Sequence, residues 1–333
     1  MHHPLQVLKH YWGYDGFRPG QAEVIDSILS GHDTLALMPT GGGKSITFQV
    51  PALANPGICL VISPLVALMK DQVKNLQKRG ILSAFISSEM PHWEILQQLD
   101  NCILGDYKFL YISPERISSE LFQEKLKTLS SKVNLLVVDE AHCISQWGND
   151  FRRDYRLIAD IRDAIPHVQV IAVTASATAA VVADICEQLH FRKGYRIFKT
   201  SFERKNLSFV VRKTDNKLKE ICHILSAVPG SAVIYSRTRK GVEEYAGKLR
   251  AAGISAEYFH AGLDPVLKTE RQADWVKGFT RVLVATNAFG MGIDKGDVRV
   301  VIHTEFPDSM EAYYQEAGRA GRDGKRAYAV ALL

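Results

Sequence analysis

At 333 residues, 46% of them hydrophobic and 23% charged, the chain is long for one domain and comfortable for two, each able to bury a core of its own. No apolar run approaches the ~20 residues of a membrane span, and the N-terminal MHHPLQVLKHYWGYDGF lacks a charged-then-apolar signal pattern, which predicts an intracellular protein. The net charge of +5 is compatible with a nucleic-acid partner without requiring one, and the five scattered cysteines, with no CxxC pair, suggest neither a disulfide framework nor a zinc site.

Along the chain, short Val/Ile/Leu-rich runs alternate with amphipathic stretches of helix length. DTLALM (33–38) is the first of these runs, and MPTGGGKS (38–45) follows it directly. Consecutive glycines allow backbone N–H groups to wrap a phosphate, and a helix beginning near Ser45 would add its positive end. Lys44 can neutralise outer phosphates and the Ser45 hydroxyl can hold Mg²⁺. Met38 stands where the usual phosphate-loop pattern has its first glycine, so the match is to the second half of the motif.

ICLVIS (58–63), FLYIS (109–113), LLVVD (135–139) and VQVIAVT (168–174) continue the strand series, with helical spacing over Val66–Arg79 and Ala177–Leu189. Unbroken apolar runs of this kind suit a parallel sheet covered on both faces. DEAH (139–142) follows the run at 135–139; Asp139, at a strand end, suits Mg²⁺, and Glu140 is placed to orient or deprotonate an attacking water. Immediately beyond lie Trp147, Phe151, Arg152, Arg153 and Tyr155. The aromatics at spacings of four read either as core residues on one helix face or, since Gly148 and Asn149-Asp150 suit a turn, as a loop on which bases could stack.

TSFERKNLSFVVRKTDN (200–216) turns polar and basic and marks the junction of two domains, 1–200 and 201–333. AVIYS (232–236), AEYFH (256–260), RVLVAT (281–286) and VRVVIHT (298–304) then repeat the alternation, which ends on AYAVALL. The pattern predicts two α/β domains in tandem with mostly parallel sheets. In the second, QEAGRAGRDG presents Arg319 and Arg322 among glycines, where guanidinium groups could fork onto phosphate oxygens.

Nine motifs in order carry a family resemblance: YDGFRPGQ (14–21), MPTGGGKS (38–45), ISPLVALMKDQV (62–73), ISPERI (112–117), DEAHCISQWG (139–148), VTASAT (173–178), YFHAGL (258–263), VATNAFGMGID (284–294) and YYQEAGRAGRDG (313–324). The series resembles the superfamily 2 helicases and, within them, the RecQ family of DNA helicases. The resemblance implies two RecA-like domains with a nucleotide cleft between them, driven by Mg²⁺ and ATP, acting on single-stranded and partly duplex DNA, with movement in the 3′-to-5′ direction. It implies an adenine site at Tyr14, Arg18 and Gln21, a phosphate site at Thr40, Gly41, Gly42, Gly43, Lys44 and Ser45, and magnesium at Ser45 and Asp139. Asp294 would approach the ribose, Arg322 and Arg319 would act as catalytic arginines, and His142, Gln146, Trp147, Phe151 and Arg152 would bind DNA or couple it to hydrolysis. A monomer, in the nucleoid of a prokaryote or the nucleus of a eukaryote, is expected, with a role in DNA repair or recombination.

Two departures stand out: Asn149 where the family has His, and Arg153 where it has Pro. Many members continue into a four-cysteine zinc module and a winged helix, whereas this chain is expected to be a core without zinc. An RNA helicase of the same superfamily, a nucleic-acid binder with a silent ATPase and a P-loop kinase are the alternatives. The aromatic loop and YDGFRPGQ weigh against the first, intact Lys44, Asp139, Glu140 and Arg322 against the second, and the second α/β repeat against the third.

Overall fold

The computed structural model describes residues 3–39, 41–145, 152–175, 177–201, 203–289 and 295–333. The chain divides into two compact units, Met1–Phe202 and Glu203–Leu333. Among the described residues the first unit carries strands β1 (Thr34–Leu37), β2 (Ile58–Ile62), β3 (Ser83–Ile86), β4 (Phe109–Ile112), β5 (Val133–Val138), β6 (Gln169–Thr174) and β7 (Arg196–Lys199). They form one sheet in the order β3-β4-β2-β5-β6-β1-β7, with every pairing parallel.

Successive strand residues alternate between two cores, one on each face. Leu35, Leu60, Ile62, Leu136 and Val138 pack in one, while Ala36, Cys59, Val61, Leu135 and Val137 pack in the other. Burial on both faces is why these strands read as continuous apolar runs, the expected signature of a parallel sheet. The order also sets the site. Because β5, β6 and β1 are neighbours, the loops leaving their C-terminal ends lie side by side, the position where open α/β sheets collect ligands.

The second unit carries β8 (Leu207–Arg212), β9 (Ser231–Tyr235), β10 (Ala256–Phe259), β11 (Val282–Ala285), β12 (Val298–His303) and β13 (Ala327–Leu332). Their order is β10-β11-β9-β12-β13-β8, again all parallel. The polar stretch read as a domain junction over 200–216 therefore contains a strand, β8, which pairs along its whole length with β13. Its outward residues Phe209 and Val211 are 46% and 58% exposed, so the apolar run that marks an interior strand is diluted there. The helices end where local chemistry requires. Thr178 and Ser309 cap Ala179–Gln188 and Met310–Ala317 with their side chains, and Asp264 with Pro265 opens Pro265–Lys277. No described helix is long and apolar enough to cross a membrane.

Candidate active site

The glycine loop follows β1. Met38, at the position usually held by glycine, is buried in the core beneath the sheet, and its N–H donates to Thr174 O at 3.0 Å, extending the β1–β6 ladder by one rung. A side chain is thus accommodated there because the residue still belongs to the strand. Gly41 and Gly43 have φ of 77° and 78°, the left-handed region that glycine occupies without strain. A Cβ at Gly43 would come within 2.4 Å of Gln21 Nε2. Helix Lys44–Ala54 starts on Gly43 with no side-chain cap, so its first N–H groups are not taken by a capping side chain.

Gln21 is nearly fully buried, and its amide grips this loop: Nε2 donates to Gly43 O at 3.0 Å and Gly42 O at 3.4 Å, while Oε1 accepts from Arg18 N at 2.9 Å. Arg18 in turn donates to Gly41 O at 2.8 Å. Two residues expected to read adenine are therefore engaged with the phosphate loop in this structure, while Tyr14 is exposed.

Asp139 leaves the end of β5, where its N–H donates to Ile62 O at 2.9 Å. Burial and the adjacent Glu140 carboxylate push its acid up to about 6, with Lys44 pulling the other way. Its Oδ1 accepts from Glu140 N at 2.9 Å. Glu140 has φ 46° and ψ 48°, a strained region for a side-chain-bearing residue, and this turn aims its carboxylate back across the site. Lys44 Nζ lies 3.4 Å from Glu140 Oε1. His142 is buried rather than surface-facing, with Nδ1 2.8 Å from Thr174 Oγ1 and 3.4 Å from Glu140 Oε2. The His142 side chain, expected to bind DNA or couple it to hydrolysis, is therefore enclosed between the ends of β5 and β6 and engaged with Thr174 and Glu140.

Ser45 Oγ accepts from Gln72 Nε2 at 3.3 Å, and Gln72 Oε1 accepts from Gln49, which also donates to the Tyr111 hydroxyl. Arg152 is half-buried; its N–H donates to Cys143 O and its guanidinium to Pro64 O. Tyr155 is a core residue whose hydroxyl donates to Asp139 O at 2.9 Å, and burial raises its phenol well above the ordinary range. Thr40, Gln146, Trp147, Asn149, Phe151 and Asp294 lie outside the described residues.

In the second unit, helix Met310–Ala317 runs into the glycine-rich turn. Arg319 is buried and hydrogen-bonds the Tyr235 hydroxyl; burial pushes that phenol up to about 12, against the pull of Arg319. Arg322 is half-buried, one turn farther on.

Comparison with known proteins decides the family. Residues 18–185 match the DEAD/DEAH box helicase family, and residues 216–324 match the helicase conserved C-terminal domain. The chain belongs to the DEAD/DEAH box helicases. Within them it is a RecQ-type helicase core. It is 43% identical to the ATP-dependent DNA helicase RecQ of Bacillus subtilis over 100% of this chain and 56% of that protein. It is 42% identical to RecQ of Haemophilus influenzae over 98% of this chain and 52% of that one. The chain spans about half the length of the curated relatives it matches. Its fold is that of helicase Lhr of Mycobacterium smegmatis, solved with ssDNA and AMP-PNP, at a TM-score of 0.77 and 19% identity, covering 99% of this chain and 48% of that one. Each unit of the helicase core is thus RecA-like.

Residues beyond the expected set also hold the site together: Gln72, Gln49, Thr174 and Tyr155. Gln72 and Thr174 lie inside motifs that the resemblance rests on, so their position was visible but their bonding was not. Tyr155 had two readings, and the structure selects the core one. Gln49 had no sequence signal beyond its place in the helix after the glycine loop.

Proposed function

We propose that this core binds Mg-ATP on the first unit, hydrolyses it under stimulation by single-stranded DNA, and uses turnover to move 3′-to-5′ and separate duplex DNA. The observation that carries the reading is the convergence of Lys44, Asp139, Glu140, His142 and Thr174 at the ends of three adjacent strands, β1, β5 and β6. The residues fit a magnesium-nucleotide site. A buried carboxylate at Asp139, its acid raised by burial and by the neighbouring Glu140 carboxylate, and the Ser45 hydroxyl are hard oxygen donors of the kind Mg²⁺ takes. When bound, Mg²⁺ would draw charge from the phosphates.

The chain's own residues supply the rest. Lys44 neutralises the outer phosphates and leaves its ion pair with Glu140 as nucleotide enters. Glu140, held by its left-handed backbone, then takes a proton from the attacking water. His142, joined to Thr174 on β6, links that carboxylate to the neighbouring strand end. The Tyr14 ring is available to stack on adenine, whereas a base contact by Gln21 requires it to release the glycine loop. Arg322 serves as the arginine finger, and Asp294, Gln146, Trp147, Phe151 and Arg152 complete the ribose and DNA contacts on the strength of the motif series.

ATP hydrolysis measured with no nucleic acid, with single-stranded DNA and with single-stranded RNA tests the reading. Stimulation by DNA supports it, stimulation by RNA alone moves the substrate to RNA, and stimulation by neither leaves a nucleic-acid binder with a silent ATPase.

A further inference from the structure

The turn ERKN (203–206) opens the second unit, with Leu207 N donating to Arg204 O at 2.9 Å. From that turn Arg204 reaches across more than a hundred residues of sequence to the GRAG segment. Its guanidinium donates to Gly318 O at 3.3 Å, Ala320 O at 2.9 Å and Gly321 O at 2.7 Å. These carbonyls follow the C-terminal end of helix Met310–Ala317, where acceptors lack helical donors and the dipole favours a cation. A planar fork can serve three carbonyls at once; an ammonium on a flexible stem cannot.

Neighbouring groups tighten the clamp. Arg204 Nε donates to Asn206 Oδ1 at 3.4 Å, which turns the Asn206 amide so that Nδ2 donates to Gly321 O and Lys325 O, both at 2.8 Å. Gly321 has φ 63°, and a Cβ there would meet Asn206 Nδ2 at 2.6 Å and Lys325 O at 2.8 Å. Beyond it, Asp323 is held by Arg299 at 2.7 Å and its N–H donates to Gly296 O at 3.1 Å. Arg322 therefore stands between two anchored stretches of backbone, residues 318–321 and residue 323.

We propose that Arg204 is a positioning residue for Arg322, fixing the backbone from which the arginine finger is presented. The inference rests on the reading of Arg322 as that finger. Without Arg204 the turn keeps its sequence but loses its register, and a misplacement of about 1 Å in a reacting group costs roughly 10²-fold in rate.

The test is a double-mutant cycle on the whole chain, reading DNA-stimulated ATPase kcat and KM for Arg204→Ala, Arg322→Ala and the pair. The expected result for Arg204→Ala is a kcat lower by about 10- to 100-fold, with KM for ATP held within about twofold, as a positional loss requires. On the Arg322→Ala background, removing Arg204 changes kcat by no more than about twofold, because a residue acting through another adds nothing once that other is gone. Arg204→Lys keeps the charge without the fork and should restore only part of the rate; it also carries the cycle if the alanine variant does not fold. Fully additive losses, or a fall shared equally by kcat and 1/KM, overturn the positioning role while leaving the finger in place. Normal turnover in Arg322→Ala removes the finger reading itself, and the inference with it.

Discussion

The peptide between Asp139 and Glu140 is pinned at both ends: its carbonyl accepts from Tyr155 and its N–H donates to Asp139 Oδ1. That plane defines φ of Glu140, at 46°. Tyr155→Phe keeps the buried ring and its packing but withdraws the donor from Asp139 O. Losing a net hydrogen bond costs ~0.5–1.5 kcal/mol and leaving a buried carbonyl short of a partner ~1–3. Relaxation of the strained Glu140 backbone returns part of this, so about 1–2 kcal/mol of stability should go. For a unit of about 200 residues this lowers Tm by roughly 2–8 °C, at 2–4 °C per kcal/mol. Removing the ring as well, in Tyr155→Ala, should cost ~3–5 kcal/mol through the cavity. Because Glu140 is no longer aimed, kcat for ATP hydrolysis in Tyr155→Phe should fall several-fold while nucleotide affinity holds. Urea unfolding midpoints and steady-state ATPase measurements read both effects. A wild-type midpoint with wild-type kcat refutes the pinning argument. Lost affinity at unchanged kcat would instead mean that the tyrosine shapes the nucleotide pocket.

Lys44→Ala should abolish hydrolysis and weaken nucleotide binding, whereas Glu140→Gln should retain ATP and lose turnover; normal turnover in the glutamine variant removes Glu140 as the base. In EDTA, Asp139→Asn should be more stable than the parent above pH 6. The folded acid at about 6 lies above its ordinary 3.8, so the folded state binds the extra proton between those values and loses stability as pH rises through them, by up to about 3 kcal/mol. Urea midpoints at pH 5 and pH 8 test this, and a variant less stable than the parent at pH 8 contradicts it. Trp147→Ala and Phe151→Ala should keep basal hydrolysis and lose DNA stimulation, and Asn149→His should raise stimulated turnover; alanine variants that lose several kcal/mol of stability would be core residues instead.

The interior strands were legible because parallel strands buried on both faces must be apolar at every position, as ICLVIS, LLVVD and VQVIAVT are. Edge strands β7 and β8 carry no such signature, because residues such as Ile197, Phe209 and Val211 face outward among polar neighbours, while β3 is only four residues long and opens on a serine. The site divides in a similar way. Residue types fixed by chemistry, namely Lys44, Asp139, Glu140 and the glycines, could be named from local spacing, since phosphate binding makes demands on a few consecutive residues. What holds them depends on which strands are neighbours. The β5-β6-β1 order brings His142 to Thr174, and the turn after residue 202 brings Arg204 to Gly318, Ala320 and Gly321. Those pairings are 32 and 114–117 residues apart in sequence. Hydrogen bonds between such distant groups leave no periodicity in either segment, so only the folded sheet order could assign them.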